Sequence, residues 1–198
     1  MAYNSTSWTT DSNTQAGSSG TTTMGGITLY ATFSTTSTES AGFSAGYHEA
    51  LTFQNANHIS TANPNFGNGT DPATTFTVSG SSEVKASDLV PCLWYVPDNI
   101  TIDAVNHLEG ADEDTSEATR MHLMSYTYTS GTASALTGGT LLAHSADITN
   151  AGYAKTYSGT WTVDSGSVSA GKVIVATFES DAVASDYSIG VIVKYHLS

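Results

Sequence analysis

Short runs in which apolar residues alternate with polar or small residues recur along this chain, and residues typical of turns separate them. A repeat of two residues is the period of a β-strand with one buried face, and no long window shows the period of a helix. The chain is therefore expected to be all-β, and the spacing of the runs favours an antiparallel β-sandwich or barrel. The clearest runs are residues 27–33, 75–79, 92–96, 100–105, 121–128, 141–144, 153–163, 172–178 and 187–196.

The last two runs are rich in β-branched residues and are apolar on both faces. One face can pack on a core, but the other must be covered by a second sheet or by a partner chain. A strand of this kind at an open sheet edge would promote aggregation. These runs therefore predict a fold of two sheets and favour a homo-oligomer.

Residues 89–128 are the densest apolar part of the chain. Pro97 and Asp98 occupy the second and third positions of a type I turn at 96–99. We expect residues 100–108 and 119–128 to pair as a hairpin at the centre of the sandwich, with an acidic tip between them. In the first strand Ile100, Ile102 and Ala104 should share one face, because side chains alternate along a strand.

Residues 1–26 are polar and low in complexity, and such a segment cannot bury enough surface to fold alone. The expected organisation is a polar N-terminal arm at 1–26 followed by one sandwich domain at 27–198. Tyr3 and Trp8 are the candidate anchors with which this arm would hold a neighbouring subunit, since aromatic residues often dominate contacts. A frayed terminus is the alternative.

The net charge disfavours several classes of partner. The chain has 198 residues, a formal net charge of -13 and only five Lys and Arg residues, which are scattered. Nucleic-acid binding needs clustered cations, so neither DNA nor RNA is an expected partner, and anionic membranes are disfavoured for the same reason. We recognise no signal peptide and no apolar run long enough to cross a bilayer.

The acidic segment 109–117 is the best candidate for a cation site, because clustered oxygen ligands suit Ca²⁺ or Mg²⁺. Its spacing is not that of an EF-hand, and a solvated hairpin tip is the competing interpretation. If 100–108 and 119–128 pair, the two histidines of these strands would lie near each other beside this tip and could form a histidine–carboxylate site. The weak metal candidates are therefore Glu109, Asp112, Asp114, His107 and His122.

No catalytic or cofactor motif appears in the chain. It lacks a Gly-x-Ser-x-Gly elbow, a Gly-x-Gly-x-x-Gly fingerprint and a Walker loop. The 18 acidic residues leave a catalytic carboxylate pair open, but nothing selects one. Cys92, Trp94 and Trp161 lie in apolar runs and are expected to be buried core residues. We predict no cofactor, no catalytic residues and no enzymatic activity.

Two parts of the chain resemble small jelly-roll proteins of tailed bacteriophages. The segments WTV (161–163), VSAGKVIV (168–175) and YSIGVIV (187–193) are similar to their closing strands, where a glycine turn leads into a strand, a loop and a terminal strand. The segment WYVPDNITIDAV (94–105) is similar to another stretch common in these proteins. The resemblance implies an antiparallel jelly-roll-like β-sandwich that is a virion component, often a trimeric one.

Resemblance and composition together favour a structural virion protein, assembled in the host cytoplasm as a homotrimer. The favoured role is a capsid decoration or cement protein that contacts the major capsid protein and carries its negative charge on the outer surface. The alternative is a tail-fibre or receptor-binding adhesin that recognises host glycans through loops at 34–73 and 109–118. A polysaccharide-degrading enzyme is a third hypothesis, and it would need two facing carboxylates in a cleft.

Overall fold

The computed structural model describes residues 28–37, 45–54, 63–78, 86–112, 117–150, 155–181 and 186–198. Within these ranges the chain is built almost entirely from β-strands, with one short helix, α1 (Ala86–Leu89), which continues into a 3-10 turn at Val90–Cys92. The strands are β1 (Leu29–Ser37), β2 (Glu49–Ala50), β3 (Thr52–Phe53), β4 (Trp94–Tyr95), β5 (Ile100–Asp112), β6 (Glu117–Tyr128), β7 (Leu136–His144), β8 (Ile148–Asn150), β9 (Lys155–Thr160), β10 (Thr162–Val163), β11 (Ser167–Val168), β12 (Lys172–Ser180) and β13 (Asp186–Leu197).

The strands form two antiparallel sheets. Sheet I has the order β11-β5-β13-β1-β3, and β9 also pairs with β5. Sheet II has the order β10-β7-β6-β12-β2, with β4 also paired to β12 and β8 to β6. The two sheets enclose a shared core, so the expectation of an all-β, antiparallel sandwich is confirmed.

The main core lies between the two sheets, because alternate side chains of each sheet point toward the other. Phe33, Val105 and Val193 of sheet I belong to one buried cluster with Leu123 and Ile174 of sheet II. The cluster also contains both tryptophans that the sequence placed in the core, Trp94 and Trp161.

A second buried cluster lies on the far side of sheet II. Val173 and Val175 of β12 pack there with Phe66, Tyr126 and other residues. The segment 63–78 and the helical turn 86–92 supply much of this cluster, so they cover the face of β12 that points away from sheet I. The predicted need for a cover over both faces of this strand is therefore met inside the chain. Cys92 is also buried in this cluster, as predicted.

The predicted hairpin between residues 100–108 and 119–128 is wrong. β5 lies in sheet I and pairs with β13, whereas β6 lies in sheet II and pairs with β12. The chain crosses from sheet I to sheet II between β5 and β6, and from β8 onward each successive strand lies in the opposite sheet. Local alternation shows that a strand has a buried face, but it does not determine which strand lies beside it.

The predicted face of Ala104 is also wrong, because β5 contains a bulge. Tyr195 of β13 pairs with Ile102, but the preceding Lys194 pairs with Ala104, so Asp103 is an extra residue in the ladder. An extra residue reverses the alternation beyond it. Ile102 and Val105 are therefore buried, whereas Ala104 is only half-buried.

Two other predicted strands are shorter than expected. In the run 92–96 only Trp94 and Tyr95 are extended in a ladder, because Pro91 lies within the preceding 3-10 turn. In the run 75–79 only Phe76 forms a bridge, to Leu136. The predicted arm at 1–26 lies outside the described residues.

Candidate functional site

The predicted metal candidates do not come together. His107 and Glu109 point into the space between the sheets from β5, whereas His122 lies on the far side of sheet II, under the segment 63–78. Asp112 is exposed at the end of β5. Among the described residues, no group of three His, Cys, Asp or Glu side chains is arranged to hold a metal ion. Asp114 and the predicted arm residues Tyr3 and Trp8 lie outside the described residues.

His107 is part of the core packing. The indole nitrogen of Trp161 donates a hydrogen bond of 2.9 Å to its Nδ1, so the ring proton of neutral His107 must be on Nε2. Burial lowers the pKa of His107, because the charged imidazolium would lose its hydration. A Cβ placed on Gly159 would lie 2.7 Å from the His107 ring, so only glycine fits beside it.

Glu109 links the two sheets through hydrogen bonds. Its carboxyl accepts bonds from the Thr119 hydroxyl, at 3.1 Å to Oε1, and from the Asn150 amide, at 3.1 Å. Burial raises the pKa of Glu109, and the two hydrogen bonds oppose this effect only in part. The side chain is 1% exposed, so it is not the solvated hairpin tip that the sequence suggested.

A second polar link lies at the same end of the sandwich. The Tyr187 hydroxyl of sheet I donates a hydrogen bond to the Glu117 carboxylate of sheet II. Ser180 of sheet II lies 3.0 Å from the same hydroxyl. Glu117 is 2% exposed, and together with Glu109 it is enclosed between the sheets. These two carboxylates therefore do not face each other across an open cleft, as a glycosidase would require.

Three histidines that are far apart in the sequence meet on the far side of sheet II. The rings of His48 and His122 are 4.8 Å apart, and those of His122 and His144 are 6.5 Å apart. Nε2 of His48 lies 2.8 Å from the Gly69 carbonyl oxygen, and Nδ1 of His144 lies 2.8 Å from an Asp164 carboxylate oxygen. Each of these two nitrogens therefore carries a proton and donates.

Burial lowers the pKa of His122 to about 3, and the neighbouring His48, Arg120 and His144 add to this effect. Asp71 lies 3.6 Å from its Nε2, which is too long for a hydrogen bond. Nδ1 of His48 and Nδ1 of His122 are buried and have no hydrogen-bond partner among the described residues. The cluster lies against the segment 63–78, with His48 and His122 buried and His144 partly exposed. Sequence reasoning missed it because His48, just before β2, is far along the chain from the paired strands β6 and β7 that carry His122 and His144, and the three share no spacing.

An apolar groove of about 500 Å³ borders the second cluster. Its wall contains Val78, Leu89, Val90, Leu93 and Tyr128. Among its described lining residues, aliphatic and aromatic groups predominate beside Thr129 and Thr132. The groove can take up an apolar group.

The outer face of sheet I is the side of β1, β13, β5 and β9 that points away from the core. It includes three large apolar side chains at high exposure, with Tyr30 and Leu108 each at 62% and Ile192 at 40%. The register of these strands places on it Tyr30, Thr32, Ser34 and Thr36 of β1, Lys194, Ile192, Gly190, Ser188 and Asp186 of β13, Ala104, Asn106, Leu108, Gly110 and Asp112 of β5, and Thr156, Ser158 and Thr160 of β9.

Acidic residues lie at the two ends of this face: Asp112 is opposite Asp186 at one end, and Asp103 bonds His196 at the other. Between these ends, its described members include no carboxylate, although the chain has 18 acidic residues. Lys194 is the one charged residue among the described members of this central part. The centre of the face is therefore a surface of hydroxyl, amide, glycine and apolar groups on an otherwise acidic molecule.

Comparison with known proteins does not assign a family. No protein-family model matches the chain, and no curated protein is significantly similar to it. In the described part of the chain, no helix has the length and apolar character needed to cross a membrane. The functional proposal below therefore depends on the fold and its surfaces.

Proposed function

We propose that this chain is a structural protein of a tailed-bacteriophage virion, a decoration or cement protein that assembles on the capsid surface as a homotrimer. The observation that carries the proposal is the outer face of sheet I. A protein with a formal net charge of -13 repels any acidic neighbour, its own copies included. The centre of this face, between its acidic ends, carries no carboxylate among the described residues and lets such a protein pack closely against another subunit, because like charges placed directly opposite each other are costly.

The buried polar groups also support an assembly role over catalysis. Glu109 and Glu117 accept hydrogen bonds across the core, and both are nearly inaccessible to solvent. His107 is held by Trp161 in the same core. These groups link the sheets, and a catalytic carboxylate or histidine has to reach its substrate.

We further propose that the sandwich is a jelly roll. The order of eight strands supports this topology. In chain order these strands are β1, β2, β5, β6, β7, β9, β12 and β13. The first, eighth, third and sixth of these strands lie side by side in sheet I as β1, β13, β5 and β9. The second, seventh, fourth and fifth lie side by side in sheet II as β2, β12, β6 and β7. This arrangement is that of two interlocked Greek keys, which viral capsid and lectin domains often use.

The test is the place and number of copies in the particle. Virions of the phage that encodes the chain are purified, the chain is quantified by mass spectrometry, and its position is located by electron microscopy. We expect hundreds of copies on the head. A handful of copies at the tail, together with specific binding on a glycan array, would instead identify the adhesin. Absence from purified particles would overturn both.

The role of the outer face is tested with particles that lack the protein. Leu108→Glu places a carboxylate at the centre of the face, and we expect binding about tenfold weaker than that of the wild type. Tyr95→Glu is the matched control, because Tyr95 is 57% exposed on β4 of the other sheet. Equal binding by the wild type and both variants would show that the outer face of sheet I plays no part in assembly on the particle.

A further inference from the structure

We propose that the outer face of sheet I binds a second copy of this chain, with Leu108 of one copy seated over Gly190 and Gly110 of its neighbour. The inference deepens the proposed function, on which it rests, by naming the partner of that face and the residues that meet. The first observation is Gly190, a glycine within a strand that has no packing reason among the described residues.

Gly190 lies in the middle of β13, a strand of twelve residues. A glycine inside a strand weakens it, because the unfolded chain gains freedom and no side chain packs. Its φ angle is not in the left-handed region, and a Cβ added there would meet nothing within 4 Å. Neither the backbone conformation nor packing against the described residues requires glycine at this position.

Other glycines of the sandwich have an internal reason. At Gly139 a Cβ would lie 2.7 Å from the Tyr126 ring, and at Gly159 it would lie 2.7 Å from the His107 ring. Both positions are filled by a side chain of the same molecule. A strand glycine without such a neighbour among the described residues is a place where another backbone or a ligand can approach closely.

Leu108 lies directly opposite Gly190 in the ladder between β5 and β13. Gly110, two residues further along β5 on the same face, is opposite Ser188. The large, 62% exposed Leu108 side chain therefore stands beside a shallow depression formed by two glycines and a serine. The projection of one copy can enter the depression of the next, as in the head-to-tail contacts that close a ring of subunits.

Charge selects a second copy over a basic partner. A basic protein would be attracted to the acidic remainder of the surface and would gain nothing from the centre of this face, where the described residues include no carboxylate. Two copies of this chain repel each other through their acidic surfaces. The centre of the outer face, around Leu108 and Gly190, lets two copies meet without a carboxylate at the point of contact, and its apolar side chains supply the favourable burial.

The test changes the projection and the depression one at a time and then together. Gly190→Leu fills the depression, and Leu108→Gly removes the projection. The double variant Leu108→Gly with Gly190→Leu moves the projection to the neighbouring strand and leaves the depression where Leu108 was. Because no atom lies within 4 Å of a Cβ at residue 190, the filled variant should fold, and circular dichroism verifies this for all three proteins.

Sedimentation velocity over a range of protein concentrations measures self-association. We expect the wild type and the control Tyr95→Ala to associate equally, each single variant to dissociate at about tenfold higher concentration, and the double variant to recover part of the loss. A wild type that is monomeric throughout, or a Gly190→Leu variant that associates like the wild type, would overturn the inference.

The same proteins separate this inference from the proposed function. A wild type that binds particles but never self-associates would refute the second copy and leave the virion role standing. A wild type that self-associates through Leu108 but is absent from particles would keep the interface and refute the virion role.

Discussion

The outer faces of the two sheets differ in whether other described segments of the chain cover them, although both sheets enclose the same core. The far side of sheet II is covered by residues 63–78 and 86–92. Phe66 and Leu89 of these segments are buried in one cluster with Tyr126 of β6. The outer face of sheet I has no such cover among the described residues and exposes Tyr30 and Leu108.

The difference follows from the residues that each face presents. On the far side of sheet II, β6 and β12 present Met124, Tyr126, Val173 and Val175, whose apolar area has to be removed from water. On the outer face of sheet I the same alternation presents mostly Ser, Thr, Asn and Gly, which tolerate water, interrupted by a few apolar side chains. The first face needs a cover for the fold to be stable, whereas the second is available for association.

The largest predicted contrast comes from deleting one side chain on each face. Tyr126 is fully buried and its hydroxyl donates a hydrogen bond of 2.8 Å to the Ala73 carbonyl of the covering segment. Tyr126→Ala should lower the free energy of unfolding by about 3–5 kcal/mol, because it leaves a cavity and detaches that segment. Ile192→Ala on the other face should cost less than about 1 kcal/mol. Urea unfolding measures both, and equal losses would contradict the distinction between covered and open faces.

Acid should weaken the covered face through His122. The pKa of His122 is about 3 in the folded chain against an ordinary value of 6.5, so the unfolded chain takes up the proton first as pH falls. The folded state is therefore fully favoured by this group above pH 6.5, and it loses stability as pH falls toward 3. At about pH 4 the loss should be roughly 3 kcal/mol.

His122→Asn should flatten this dependence, as measured by urea unfolding at about pH 7 and pH 4. His196→Asn is the control, because His196 is a partly exposed residue that bonds Asp103 at the end of sheet I. If the two variants keep the same pH dependence as the wild type, His122 does not govern acid stability.

The smallest predicted contrast compares two glycines. Gly139→Ala would place a Cβ 2.7 Å from Tyr126 and 2.8 Å from the Thr74 backbone of the covering segment. We expect a loss of about 1–2 kcal/mol in the free energy of unfolding, because the cover has to shift. Gly190→Ala meets no atom and should be neutral or should stabilise the monomer by up to about 1 kcal/mol. Thermal unfolding at low protein concentration decides this, and a destabilised Gly190→Ala monomer would point to an internal role for that glycine.

Much of the architecture follows from local residue patterns. The alternating and β-branched runs at 172–178 and 187–196 predicted β12 and β13, and the apolar surroundings of Trp94 and Trp161 predicted their burial. These signals succeed because burial of a strand face depends on the period of its own side chains. The candidate sites were harder to predict, since His48, His122 and His144 share no spacing and meet only after strands far apart in the chain pair.

The sequence by itself determined that this chain is an all-β sandwich, because strand period, β-branching and turn residues are local properties. Only the tertiary structure decided that β5 and β6 lie in different sheets, that a bulge at Asp103 turns Glu109 inward, and that one sheet face is covered. The physical reason is that strand partners and covering segments are chosen by competition among distant parts of the chain. A pattern of apolar and polar residues shows which side of a strand has to be buried, but the free energy of the whole fold decides which segment buries it.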